Sequence, residues 1–235
     1  MENPHFPVLK EMRFSCLWLL ILSSCTGYVG TSGPLQYHSK EFLLIDSVKP
    51  AHPGWLMDGE TVDFPIFYIG PTSDTICIGK RYWPDITSFW EAKPGIFTKS
   101  YSSKELEITA DTSISCFTGI DWWRESDPSI IDSTQWYHSF IVILKNKSDS
   151  TLYMGRTFCL YYMQLEGQCP DGQWTRIQKP LSETWLCSTN QPDIFLRPGE
   201  IILSKIMRRV EPGFTNYRLG WVTYYSVIYS NTFNL

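Results

Sequence analysis

The chain has 235 residues, 43% of them hydrophobic, 15% aromatic and 19% charged, with a formal net charge of −4. Its aromatic and β-branched content excludes a disordered chain, which lacks the apolar surface needed to offset the entropy of folding. No basic run longer than pairs such as Arg208-Arg209 occurs, which argues against a nucleic-acid-binding protein.

At the amino terminus, Lys10 and Arg13 precede the apolar run 16–22 and the small residues Ser23, Ser24, Cys25, Thr26 and Gly27. This is the layout of a secretory signal peptide, with an apolar core too short for an ordinary membrane span. Cleavage is expected just after Cys25 or Gly27, and Met12 offers an alternative start with a more compact leader. Residues 1–27 are therefore read as a signal peptide and residues 28–235 as a single all-β secreted domain, with a subdivision near 124–134 as the alternative. No later run has the length of a spanning helix; the most apolar, 140–144, is strand-sized.

Residues 28–34 form a Gly/Ser/Thr lead-in, and 41–45 make a first short strand. In 61–70 a period of two places Val62, Phe64, Ile66 and Tyr68 on one face, and Pro65, which has no amide donor, assigns the strand to an edge or a bulge. Residues 75–78 form the next strand, and the aromatic, Pro-containing stretch 80–100 reads as a structured loop. Residues 105–109 alternate charged and apolar; 113–120 alternate again, with Ile114, Cys116 and Thr118 on one side. A polar loop is expected over 124–134. Next, the runs 136–144 and 151–165 flank the polar break 145–150 and read as a hairpin. Cys169-Pro170-Asp171-Gly172 is a turn, 174–177 and 184–187 are strand-sized, and 194–196 with 201–203 read as a second hairpin closed by Pro198-Gly199. The end, 217–233, is one bent strand or two. About ten short strands and no amphipathic helix predict an antiparallel β-sandwich or barrel-like domain with disulfides and aromatic-rich loops.

Seven cysteines are present, Cys16 and Cys25 in or beside the leader. The remaining five, Cys77, Cys116, Cys159, Cys169 and Cys187, are disulfide candidates in an oxidising compartment. Five is odd, so one thiol stays free, pairs with another chain, or finds Cys25. Cys159 and Cys169 are near enough in sequence to close a small loop, but spacing does not choose the connectivity. Asn146-Lys147-Ser148 is an N-glycan acceptor tripeptide at the turn of the expected hairpin.

Catalytic signatures are missing: there is no G-x-S-x-G, H-E-x-x-H, C-x-x-C or phosphate loop. His38, His52 and His138 are far apart in sequence, and strand packing beside Trp136 accounts for His138 better than a Cys-His dyad does. Asp121, Glu125 and Asp127 suit a solvated loop better than a metal or glycosidase cluster. No catalytic residue, metal or cofactor is assigned. The aromatic content is the unusual feature: ten Trp, thirteen Tyr and thirteen Phe, with Trp55, Trp83, Trp90, Trp122 and Trp123 in expected loops. Lys80-Arg81-Tyr82-Trp83 and Trp122-Trp123-Arg124 have the composition of contact surfaces, where such side chains bury much area at small entropic cost. The alternative is that they cap the ends of the core. Trp83, Trp90, Trp122, Trp123 and Arg124 are the candidate binding residues.

Pro53-Gly54-Trp55, the strand 64–70, and the Cys77 segment 73–79 together resemble the amino-terminal part of betaretrovirus-like envelope surface subunits. So do 116–122, around Ile120-Asp121-Trp122, and 135–138. The resemblance covers about a quarter of the chain. It implies a receptor-binding surface-subunit fragment without fusion machinery, and it carries no functional residue over. The expected function is that of a secreted, non-enzymatic glycoprotein binding a cell-surface receptor or immune ligand. An unrelated viral or host β-sandwich immunomodulator and a secreted carbohydrate-active enzyme are the alternatives.

Overall fold

The computed structural model describes residues 35–38, 42–48, 50–55, 64–78, 97–124, 127–156, 159–160, 162–178, 193–208, 213–223 and 225–235. The chain divides into one unit spanning Met1–Gly33 and another spanning Pro34–Leu235. All described elements belong to the second. They are strands without helices, so the all-β class stands: β1 Leu35–His38, β2 Leu43–Asp46, β3 Ile66–Pro71, β4 Thr75–Ile78, β5 Phe97–Thr98, β6 Leu106–Arg124, β7 Asp127–Asn146, β8 Thr151–Arg156, β9 Met163–Gln168, β10 Trp174–Gln178, β11 Asp193–Leu196, β12 Glu200–Met207, β13 Asn216–Val222 and β14 Val227–Tyr229. None is a helix long and apolar enough to cross a membrane.

A four-stranded sheet, ordered β3-β12-β7-β6, forms the middle of the unit. Its β12 segment, EIILSKIM, is buried from Ile201 to Met207, which is what a strand covered on both faces requires. Ile202 and Ile206 join Phe140, Val142 and Leu144 of β7 in one core, against Leu152 and Met154 of β8, Leu165 of β9, and Leu219 and Trp221 of β13. Ile201, Leu203 and Ile141 face the other way, into a second core with Leu44 of β2 and Ile76 and Ile78 of β4. The sheets β10-β9-β13-β14 and β11-β8-β5 thus supply the first core, and β1-β2-β4 the second. Strand β6 serves both because its register slips between Asp111 and Ser115. An odd insertion reverses the alternation of faces, so Leu106, Ile108 and Ala110 enter the first core while Ile114 and Cys116 enter the second.

The two hairpins expected from the sequence are corners instead. Strand β7 pairs with β6 and β12, whereas β8 pairs with β11 and β5. Likewise β11 belongs to the β8 sheet, and after the turn at Pro198-Gly199 the chain enters β12 of the middle sheet. Gly199 takes a φ of 74° there, and Glu200 N–H closes the turn on Arg197 O at 3.0 Å. A polar break between two β runs reads the same whether the runs pair or change sheet. Two strand pairs are parallel, β2 with β4 and β5 with β8, in an otherwise antiparallel set. The first is reached by a crossover through β3 in the middle sheet. Residues 124–134, expected to be a loop or a boundary, lie mostly within the β6–β7 ladder.

Candidate functional site

The β6–β7 hairpin is longer than the sheet that holds it. Strand β12 follows β7 only as far as Met207 opposite Ser139. Beyond that point, Gly54 is bridged to Tyr137, with Gly54 N–H donating to Trp136 O at 2.8 Å and His138 N–H donating to Gly54 O at 2.9 Å. Past Trp136, five register pairs, from Ile120 opposite Gln135 to Arg124 opposite Asp127, continue the hairpin with only each other as ladder partners among the described residues. At ~3.4 Å per residue this arm extends roughly 15 Å beyond its supported root.

Aromatic side chains dress the root. Trp55 stacks on His138 with ring centroids 4.6 Å apart and is 47% exposed. Phe117, opposite His138 in the ladder, tilts against the same imidazole at 5.5 Å. Gly119 pairs with Trp136, and a Cβ at Gly119 would stand 2.9 Å from the indole and 2.7 Å from the Thr134 methyl, so the glycine makes room for both. Below them, the Ser139 hydroxyl donates to Thr118 Oγ1 at 2.8 Å in a buried pair. The segments at Gly54-Trp55, along β6 and at 135–138 meet at this root.

Of the candidate binding residues, Trp122, Trp123 and Arg124 fall at the arm's tip, opposite Ser133, Ile131 and Asp127. Two register slips occur among these three residues, so the ladder is irregular where the aromatic pair sits. Trp83 and Trp90 lie outside the described residues. Asp121 and Asp127 belong to the arm's strands and Glu125 is not described; no group of three His, Cys, Asp or Glu with metal-binding geometry occurs among the described residues.

The glycan acceptor is placed against expectation. Asn146 is 1% exposed, and its Nδ2 donates to Ser150 O at 2.7 Å and to Leu196 O at 2.8 Å. Its Oδ1 accepts from Ser148 N–H and Ser148 Oγ, both at 2.8 Å. A sugar on Nδ2 would displace one of those donated bonds and needs space the fold fills, so the tripeptide works here as a corner clamp. Gly199 N–H also bonds Asn146 O at 3.1 Å, tying the β7–β8 corner to the β11–β12 corner.

The expected disulfides are likewise not formed among Cys77, Cys116, Cys159 and Cys169. Alternation explains two of them. Ile76 and Ile78 of β4 point into the second core, leaving Cys77 on the outer face, while Cys116 is fully buried in that core. Cys169 sits in the turn before β10, its sulfur 3.4 Å from Thr175 Oγ1, while Cys159 forms an isolated bridge with Pro65, just ahead of β3. Cys187 lies outside the described residues. Burial, with the nearby Asp46 charge adding to it and Lys205 opposing, pushes the Cys116 thiol up to about 12, so it is no nucleophile.

Sequence reasoning missed two polar groupings. Lys205 and Asp46, both with fully buried side chains, form an ion pair at 2.8 Å. Lys205 Nζ also donates to Phe117 O at 3.2 Å and lies 4.6 Å over the Phe67 ring, while Asp46 Oδ1 accepts from Val48 N–H. The lone lysine in Ile201–Met207 was the available signal. On the outer face of the β9–β13 sheet, Arg218 donates through Nε to Glu166 Oε2 at 2.8 Å, with its guanidinium 4.2 Å from the Trp174 ring and 3.7 Å from the Tyr229 ring. Both groupings are internally paired and serve the fold. No protein-family model, curated protein or solved structure matches the chain.

Proposed function

We propose that this is an exported, non-enzymatic contact protein that engages a protein partner, a cell-surface receptor or immune ligand, through the β6–β7 arm. The observation that carries this reading is the arm itself: a hairpin running past its sheet with Trp122-Trp123-Arg124 at its tip and exposed Trp55 on its root. Past Trp136 the hairpin has no third ladder partner among the described residues, so ordering its backbone costs entropy that a contact surface would offset. Tryptophan and arginine are the residue types that dominate such contacts.

The test is saturable binding of tagged protein to intact cells, with the Trp122→Ala/Trp123→Ala double variant alongside. Loss of binding by ten-fold or more at an unchanged melting temperature supports the reading. Equal binding by the variant, or no saturable binding by the parent protein, overturns it.

A further inference from the structure

We propose that Cys25 is a lipid-modification site: its Sγ takes a diacylglyceryl group from a membrane phospholipid, and Cys25 becomes the first residue of the mature chain. This goes beyond the contact function and does not depend on it.

The local sequence carries the chemistry. Leu22-Ser23-Ser24-Cys25 sets two small residues between the last leucine of an apolar run and a cysteine, with Arg13 ahead of that run and Met12 available as a start. Small residues before the cleaved bond let an extended peptide enter a narrow site, and a cysteine just after it supplies the nucleophile for lipid transfer. In ordinary secretory cleavage a cysteine at this place has no task; it only joins the pool of thiols.

Cys25 lies outside the unit Pro34–Leu235 that carries the described strands, so a lipid on it replaces no contact of that unit's core.

The covalent steps balance without a redox partner. The Cys25 thiolate attacks the glyceryl carbon that bears the phosphate ester of phosphatidylglycerol. A C–S thioether forms, the C–O bond breaks, glycerol phosphate leaves, and the thiol proton is released to solvent. Hydrolysis of the Ser24–Cys25 peptide bond then consumes one water and exposes a new α-amino group on Cys25. Two acyl chains give stable membrane anchoring where one gives only reversible binding.

The full chain, produced in a bacterial host fed an alkyne-bearing palmitate, tests this. The expected result is a mature chain whose first residue is Cys25, carrying the diacylglyceryl mass in its amino-terminal peptide. The label should survive neutral hydroxylamine, which cleaves thioesters and spares oxygen esters; it should vanish in Cys25→Ala and persist in Cys16→Ala. An unlipidated mature terminus, an uncleaved precursor, label retained in Cys25→Ala, or label removed by neutral hydroxylamine would overturn the proposal. The terminal-peptide mass decides the matter even where a variant is poorly exported.

Discussion

Replacing Asn146 with alanine or aspartate separates a clamp from a glycan acceptor. In the native fold this side chain makes four hydrogen bonds, two donated by Nδ2 to Ser150 O and Leu196 O and two accepted by Oδ1 from Ser148. Alanine removes all four. At about 1 kcal/mol net for each bond, and with the Leu196 carbonyl left buried, the expected loss is roughly 3–4 kcal/mol of unfolding free energy. Aspartate keeps the Oδ1 contacts but turns an oxygen toward two carbonyl oxygens, so it should be at least as damaging at neutral pH and recover partly when protonated in acid. Urea unfolding of the three proteins is the assay. A loss below ~1 kcal/mol for alanine, or aspartate milder than alanine at pH 7, would refute the clamp. So would a mass shift on glycosidase treatment of natively folded protein from glycosylating cells.

Lys205→Met should cost about 3–5 kcal/mol, because it strands the buried Asp46 carboxylate, and adding Asp46→Leu should restore part of the loss; a single-variant cost near zero in denaturant unfolding would contradict the pair's role. A maleimide at pH 7.5 should label exposed Cys77 quickly and buried Cys116 only on unfolding, and equal rates for both would contradict the placement. Burial raises both the Cys116 thiol, from an ordinary value of 9.0, and the Tyr37 phenol, from 10.0, to about 12. The native state therefore holds protons that the unfolded chain releases, and the stability they contribute is intact below about pH 9 and lost as pH rises toward 12. Melting temperatures that hold constant across that window would refute this. Gly119→Val should push Trp136 off the ladder and cost about 1–3 kcal/mol in thermal unfolding, with an unaltered Trp fluorescence spectrum as the contrary result.

The strands were largely legible because their alternation is local. The 41–45 run, Ile76 with Ile78, and the 201–203 run all announce themselves within a few residues, and each meets a strand, the first of them shifted to Leu43–Asp46. Pairing was less legible. The Asn146 break has the turn chemistry of a hairpin, yet what it binds is Leu196, fifty positions away. The face switch in β6 was hidden for a related reason: Asp111 and Ser113 look like ordinary exposed strand residues, and only the slip against Phe140 and Ile141 shows that an odd insertion has exchanged the cores. The arm was half visible. Its aromatic tip stood out by composition, but the neighbouring residues 124–134 read as a loop, because charged and small polar residues there break the alternation by which a strand is recognised in sequence. Lys205 showed only as the lone charge in the 201–207 run; its buried partner, Asp46, lies on β2, far away in sequence.

Trimming the arm tests the contact account most directly. Replacing residues 120–135 with Asn-Gly joins Gly119 to Trp136 by a two-residue turn of the kind that closes hairpins, and removes none of the described residues of either core. The account predicts a protein with the parent's melting temperature whose saturable binding to cells is abolished. A trimmed protein that folds and binds as the parent does would contradict it.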